Sequence, residues 1–332
     1  MSISTIGRRH GVNGSTLRRQ YKEVISGYRS WEQLSHADEY VLFPQNIGQD
    51  MSLDETCLSN GMVYTILTNK AAKGGKGALA AMIKGVSSDF ICSVLRKMPA
   101  DVRRKVKTLT TDLSPAMMLV VRTAFPCAML VNDRFHVQQL LSEALDQLRV
   151  RFRWEVLDEE NKALREYRER RRQCRRNHTS MEPWSPAIQA NGETMPQVMV
   201  RSRHLLFKHH TKWNEQQKVR SKVLFKAYPL LEKGYWLSMK LTDIFNRNIR
   251  PAVARLLLAK WFNEVEALGI REFERVLDTF TNHYDTIINY FDRRLTNASA
   301  ESFNAKIKAF RTQFRGVGDV KFFMFRLATQ FA

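Results

Sequence analysis

Two periodicities alternate along this chain, and their order predicts its elements. Near residue 51 the pattern turns strand-like. Residues 51–54 read as a first strand, followed by a turn at Ser59-Asn60-Gly61. Residues 63–68 are β-branched and aromatic, and residues 78–83 make a third strand; turns at Asn60-Gly61 and Gly74-Gly75 join the three into a meander. A helix capped by Ser87 fits residues 87–98. Residues 106–111 form a fourth strand ending at Asp112, residues 115–125 a helix with proline in its first turn, and residues 128–131 a fifth strand ending at Asp133.

Helical spacing dominates the rest. In the first thirty residues Ser4 starts a segment running to His10, Gly11-Val12-Asn13 supplies a turn, and a second helix opens at Ser15 with Arg18 and Arg19 on it. This is the helix-turn-helix pattern, and also that of any basic helical hairpin. Residues 137–176 read as continuous helix. Residues 178–196, with Pro183, Pro186, Asn191-Gly192 and Pro196, read as an irregular connector. Residues 201–291 return to helix, punctuated at Pro229, Gly234, Pro251 and Gly269. Near the end Phe303, Ile307, Phe310 and Phe314 recur at helical spacing as one buried stripe, with Glu301, Asn304, Lys308 and Arg311 on the opposite face.

Three antiparallel strands, then helix, strand, helix, strand: that order predicts an α/β fold with a ribonuclease H-like mixed sheet, interrupted by a large all-helical insertion. The expected divisions are a helix-turn-helix region at 1–45, the first part of the core at 46–136, the insertion at 137–290, and a core segment at 291–332 whose helix carries Glu301.

Composition adds a partner. Lysine and arginine number 53 against 33 acidic residues, a net charge of +20 and a pI near 10.0, which favours a polyanion. No apolar run approaches the roughly 20 residues that span a bilayer, and no secretory or lipidation signal is present, so nucleic acid in the cytoplasm is expected rather than a membrane. Residues 149–176 alone hold eleven basic and six acidic side chains. Such a run is either a solvated face laced with pairs such as Glu166–Arg170 or a phosphate-tracking face. Cys57, Cys92, Cys127 and Cys174 are scattered and form no zinc or disulfide framework. Of the insertion's tryptophans (Trp154, Trp184, Trp213, Trp236, Trp261), most are expected in the core.

Three acids stand out. Strand alternation sends Asp54 to the face opposite Leu53 and Glu55, so only one of the two acids points into a given site. In a ribonuclease H-like sheet the first and fourth strands are neighbours, which would bring Asp54 to Asp112; Glu301 arrives on its helix. Three such carboxylates suit a pair of Mg²⁺ ions, with Mn²⁺ as substitute, facing a phosphodiester. The ordinary alternative is that aspartates at strand ends are turn residues. Asp133 and His136 fit a supporting role, or a cap and a packing residue, with Asp133 the reserve catalytic acid.

Leu53-Asp54-Glu55, Asp112 ahead of its helix and Pro126, Val131-Asn-Asp133-Arg-Phe-His136, and Asn297-Ala-Ser-Ala-Glu301-Ser-Phe-Asn304 through Phe310-Arg311 and Phe314-Arg-Gly316 together resemble bacterial insertion-sequence transposases of the ISL type, in the DDE superfamily. The resemblance implies Asp54, Asp112 and Glu301 as the metal-binding triad, with Asp133, His136, Asn304 and Lys308 in support. It also implies cleavage at transposon ends and strand transfer into target DNA, within a homodimer or larger assembly at the bacterial nucleoid. Arg18, Arg19, Arg311 and Arg315 are the candidate contacts to double-stranded DNA. Relatives often carry an N-terminal cysteine-rich element, and these residues do not. The expectation is a compact branch or an incomplete reading frame, which bears on end recognition more than on chemistry. Two other readings stay open: a catalytically inactive DNA-binding regulator, and a nuclease without strand transfer.

Overall fold

Alternating β-branched, aromatic and aliphatic residues build one six-stranded sheet in a computed structural model that describes residues 3–58, 61–313 and 317–332. The strands are β1 (Tyr40–Leu42), β2 (Asp50–Cys57), β3 (Val63–Asn69), β4 (Leu79–Lys84), β5 (Thr108–Thr111) and β6 (Met129–Asn132), in the order β1-β4-β3-β2-β5-β6. Strands β1 to β4 pair antiparallel, while β2, β5 and β6 run parallel. The sheet is mixed and the fold α/β. Strand β1 falls within residues 1–45, the region read as helix-turn-helix, where no strand is expected; at three residues it is too short for a period of two to be read. The turn assigned to Asn60 lies outside the described residues, as do Phe314 of the apolar stripe and Arg315.

The chain forms two compact units, one of Met1–Asp133 with Arg293–Ala332, the other of Arg134–Asp292. In the first, α1 (Ile3–Arg9) and α2 (Gly14–Gln20) precede the sheet. Gly7 is essential to their approach: a Cβ there would sit 2.5 Å from the Val12 carbonyl oxygen. Helices α3 (Ser88–Leu95), α4 (Ala100–Arg103) and α5 (Pro115–Ala124) follow in the βα segment. Ser87 occupies the N-cap of α3, though its side chain makes no capping bond. Leu53, Leu67, Leu109 and Leu130 on one sheet face pack against Ile91, Val94, Val120 and Val121.

The second unit is helical. Its members are α6 (Arg134–Arg176), α7 (Met195–Arg201), α8 (Arg203–Leu206), α9 (Glu215–Ala227), α10 (Pro229–Asn246), α11 (Pro251–Leu268) and α12 (Glu274–Ile288), then α13 (Tyr290–Arg293), which ends in the first unit. Pro229 and Pro251 open α10 and α11, and Gly269 closes α11 in a left-handed conformation. Gly234 does not break a helix, contrary to expectation. It lies buried within α10, where its missing side chain leaves room for Leu145, Leu148 and Phe273. On α6 the buried positions Val137, Leu141, Ala144, Leu145 and Leu148 follow helical spacing, whereas Arg165, Arg168, Arg170, Arg171, Arg172, Arg175 and Arg176 are exposed. Arg170 Nε donates to the Glu166 main-chain carbonyl at 3.4 Å, not to its carboxylate, so the expected side-chain pair is not what holds this stretch. Only Trp261 among the five tryptophans is fully buried; Trp154 and Trp236 are exposed.

Two last helices, α14 (Ala298–Gln313) and α15 (Val320–Phe331), cover the other sheet face of the first unit. Phe303, Ile307 and Phe310 of α14 and Met324, Leu327 and Phe331 of α15 bury against Tyr64, Ile66, Leu79 and Met82. Each fully buried large apolar side chain contributes roughly 1.5–3 kcal/mol, which holds the middle of α14 against the sheet.

Candidate active site

The parallel register of β2 and β5 ends with Ser52 opposite Thr110. Two residues further along each strand stand Asp54 and Asp112. Strand β6 continues the line, with Thr111 opposite Asn132 and Asp133 N–H donating to the Thr111 carbonyl at 2.9 Å. Three aspartates therefore lie level on three neighbouring parallel strands, Asp112 and Asp133 just past the ends of β5 and β6 and Asp54 within β2, which runs on to Cys57 paired with β3. Past Ser52 and Thr110 the β2–β5 pairing stops, so the carboxyl edge of β5 and β6 opens beside β2, and ends of parallel strands are where ligands gather.

Each carboxylate is oriented. Asp54 Oδ1 accepts the Glu55 N–H at 2.9 Å, and its Oδ2 accepts Asn304 Nδ2 at 2.8 Å. Asp112 Oδ1 accepts the Ser114 N–H at 3.0 Å and the Thr111 hydroxyl at 3.4 Å, while Asn132 Nδ2 donates to the Asp112 carbonyl at 2.7 Å. Asp133 is buried and immediately precedes α6. His136 belongs to the second unit, half-buried with its ring edge-on to Phe135.

Glu301 is exposed in the first turn of α14, and its N–H donates to the Asn297 carbonyl at 3.0 Å. Its carboxylate makes no hydrogen bond or ion pair among the described residues. Lys308 is exposed on the same helix, and Arg311 half-buried. Asn304 is not on the outer face as expected. Four residues after Ala300 and three before Ile307, both buried, it flanks the apolar stripe and is itself 9% exposed. Its Nδ2 reaches Asp54 and the Glu55 carbonyl at 3.2 Å. Since residues three apart on a helix are neighbours at about 5–6 Å, Glu301 stands one turn from the residue that touches Asp54. Among the described residues, no group of three or more His, Cys, Asp or Glu is gathered closely enough to ligate a metal.

Electrostatics mark the same edge. Glu55, expected to face away, has its carboxyl held above the ordinary glutamate range, first by desolvation and then by the charges of Asp112 and Asp54. Nothing in the sequence pattern singles out Lys70. It follows β3, and its ammonium donates to Thr110 Oγ1 at 2.6 Å and the Thr296 carbonyl at 2.7 Å. Burial pushes it down to about 8 against the pull of Asp133 and Asp50. Asp50 itself takes both arms of Arg293, at 2.6 and 2.9 Å, and the Thr108 hydroxyl. No local signal announces these partners, which are up to 243 residues apart. The carboxylates of Asp54, Asp112 and Glu301 are hard oxygen donors suited to Mg²⁺. Asp112 Oδ2, which accepts no hydrogen bond among the described residues, fits such a cation.

A mixed sheet with aspartates level on neighbouring parallel strands, in a chain of strongly basic balance, defines the class: an acid-bearing α/β protein. The model of the ISL3-type transposase family matches residues 51–327, and the chain belongs to that family. Comparison with curated proteins and with solved structures gives no match.

Proposed function

We propose that this chain is a DNA transposase whose first unit is a ribonuclease H-like core and whose Asp54, Asp112 and Glu301 hold two Mg²⁺ ions, or Mn²⁺ in their place. The observation that carries the reading is the β2–β5 register, which sets Asp54 level with Asp112, together with the Asn304 bond that ties α14 to Asp54. The strand order β4-β3-β2-β5-β6, three antiparallel strands followed by two parallel ones, supports the core assignment. Bound magnesium would supply Lewis-acid stabilisation of the phosphoryl oxygens.

The protein's own side chains orient the acids and hold the DNA. Asn304 and the Glu55 N–H fix both oxygens of Asp54, and the Ser114 N–H fixes Asp112. Arg18 and Arg19 are exposed on α2, which supports a helix-turn-helix reading of residues 1–45. The exposed arginines of α6 suit a phosphate backbone and support a DNA-holding role for the insertion at 137–290. Lys308 and Arg311 add positive charge on the helix that carries Glu301, while Asp133 and His136 act in support, with Asp133 the reserve catalytic acid in place of Asp112. Hydrolysis at the transposon end frees a 3′-hydroxyl that then attacks target DNA, and pairing of two ends calls for a homodimer or larger assembly. No helix among the described residues is long and apolar enough to cross a membrane, and DNA is the partner.

The test is cleavage of transposon-end DNA in Mg²⁺ by wild type and by Asp54→Ala, Asp112→Ala and Glu301→Ala. Loss of cleavage with DNA binding retained supports the reading; normal cleavage by the variants ends it. Ends joined to a second duplex indicate transposition, whereas simple hydrolysis indicates a nuclease.

A further inference from the structure

Lys70 makes one contact on each side of the acid edge. It opens the single turn Lys70–Ala72 after β3, a turn capped by Asn69 Oδ1, which accepts the Ala71 N–H at 3.0 Å. From there its ammonium bonds Thr110 Oγ1 and the Thr296 carbonyl, partners 40 and 226 residues away in sequence. Thr110 is fully buried on β5, two residues before Asp112. Thr296 lies two residues before α14 begins and five before Glu301. One side chain thus joins the strand that delivers Asp112 to the segment that launches the Glu301 helix.

We propose that Lys70 is a positioning residue that fixes the spacing between Asp112 and Glu301, and so sets how tightly the acid edge binds a divalent cation. The proposal rests on reading those acids as metal ligands. The two bonds of Lys70 go to a hydroxyl and a main-chain carbonyl, neither belonging to the proposed ligands. It therefore acts through position. Asp54 and Asp112 are set by strand pairing whether or not the lysine is present, whereas Glu301 depends on where α14 starts. Supporting groups of this kind typically change metal affinity by about 10–100-fold when removed.

The experiment measures Mn²⁺ binding to the full chain without DNA, by electron paramagnetic resonance of the free ion. Wild type, Lys70→Met, Glu301→Ala and the double variant are compared as a cycle. Lys70→Met is expected to weaken Mn²⁺ about tenfold in the wild-type background, to have little effect once Glu301 is gone, and to be partly rescued in Lys70→Arg. Equal losses in both backgrounds, or none in wild type, overturn the proposal. If Lys70→Met does not fold, Thr110→Val decides. It removes one anchor and is expected to weaken Mn²⁺ in the same direction; unchanged affinity overturns the proposal. If Asp112→Ala and Glu301→Ala themselves leave Mn²⁺ binding intact, the ligand reading fails and the clamp falls with it. Intact ligand behaviour with an indifferent Lys70 sinks the clamp alone.

Discussion

Asn304 Nδ2 lies 2.8 Å from Asp54 Oδ2, joining residues 250 apart in sequence. The same amide nitrogen is 3.2 Å from the Glu55 carbonyl, so one side chain holds α14 to the end of strand β2 through both a carboxylate and the backbone. Asn304→Leu keeps the volume, removes the donors and leaves a partly buried carbonyl unpaired. The expected cost is about 1–2 kcal/mol, read as a lower urea midpoint, with cleavage reduced more than DNA binding. Asn304→Asp sets a second carboxylate beside Asp54 and is expected to destabilise more than Asn304→Leu at neutral pH. Equal midpoints for both variants and wild type would show that the bond contributes nothing.

Glu193 gives the second unit a defined acid limit. Arg220 donates to both its oxygens at 2.6 and 2.8 Å and Arg201 to one at 2.6 Å. The Arg220 bonds come first and, despite burial, hold its carboxyl down at about 2. A carboxyl depressed in the folded state stabilises fully above its ordinary range, near 4.5, and loses that contribution as pH falls through about 2. Glu193→Gln should cost roughly 3 kcal/mol at pH 7 by stranding Arg220. The gap between its urea midpoint and that of wild type should narrow steadily below pH 4.5 and close near pH 2. A gap independent of pH would rule out this origin.

Asp319 combines two jobs at the start of α15. Its Oδ1 accepts the Phe322 N–H at 3.0 Å as a helix cap, and its Oδ2 takes Lys22 Nζ at 2.5 Å. That ammonium also lies over the rings of Tyr28 and Phe322, which pack with Phe325. Asparagine can keep the cap but not the charge, so the cost of Asp319→Asn should be mild and should shrink as salt screens the Lys22 pair in the wild type. Asp319→Ala should cost about 1 kcal/mol more. Trypsin cleavage at Lys22 is expected to accelerate in the order wild type, Asp319→Asn, Asp319→Ala; the reverse order would separate this contact from the docking of the N-terminal segment.

The α1–α2 hairpin can be tested for DNA contact in two ways. Gly7→Ala places a methyl 2.5 Å from the Val12 carbonyl oxygen and must displace the turn, so it should weaken binding without removing charge. Replacing Arg18 and Arg19 by alanine should instead reduce the slope of log K against log salt by about 0.9 for each phosphate no longer neutralised. Fluorescence anisotropy across a salt series reads both. An unchanged slope would remove α2 from the DNA interface.

Local pattern makes much of the first unit readable. The runs at 63–68 and 106–111 carry β-branched residues in a polar setting, and β3 and β5 fall within a few residues of them. Prolines 229 and 251 start helices because a missing N–H costs nothing at a first turn. Helical spacing misplaces Asn304 because its face is set by a carboxylate on a distant strand, while a position flanking the stripe is open to either side. Gly234 reads as a break for a related reason: Leu145, Leu148 and Phe273 bury it inside α10, and packing partners are invisible to propensity.

By itself, the sequence determined the basic balance, most of the succession of strands and helices from residue 50 onward, and the acids on or just past the strands. All of these depend on residue type and near-neighbour spacing, which the chain states directly. Only the tertiary structure decided that Asp54, Asp112 and Asp133 stand level, that Asn304 turns inward, and that Lys70 spans Thr110 and Thr296. Strand register and helix docking are set by burying apolar faces between segments hundreds of residues apart, and that free energy is minimised over the folded chain as a whole.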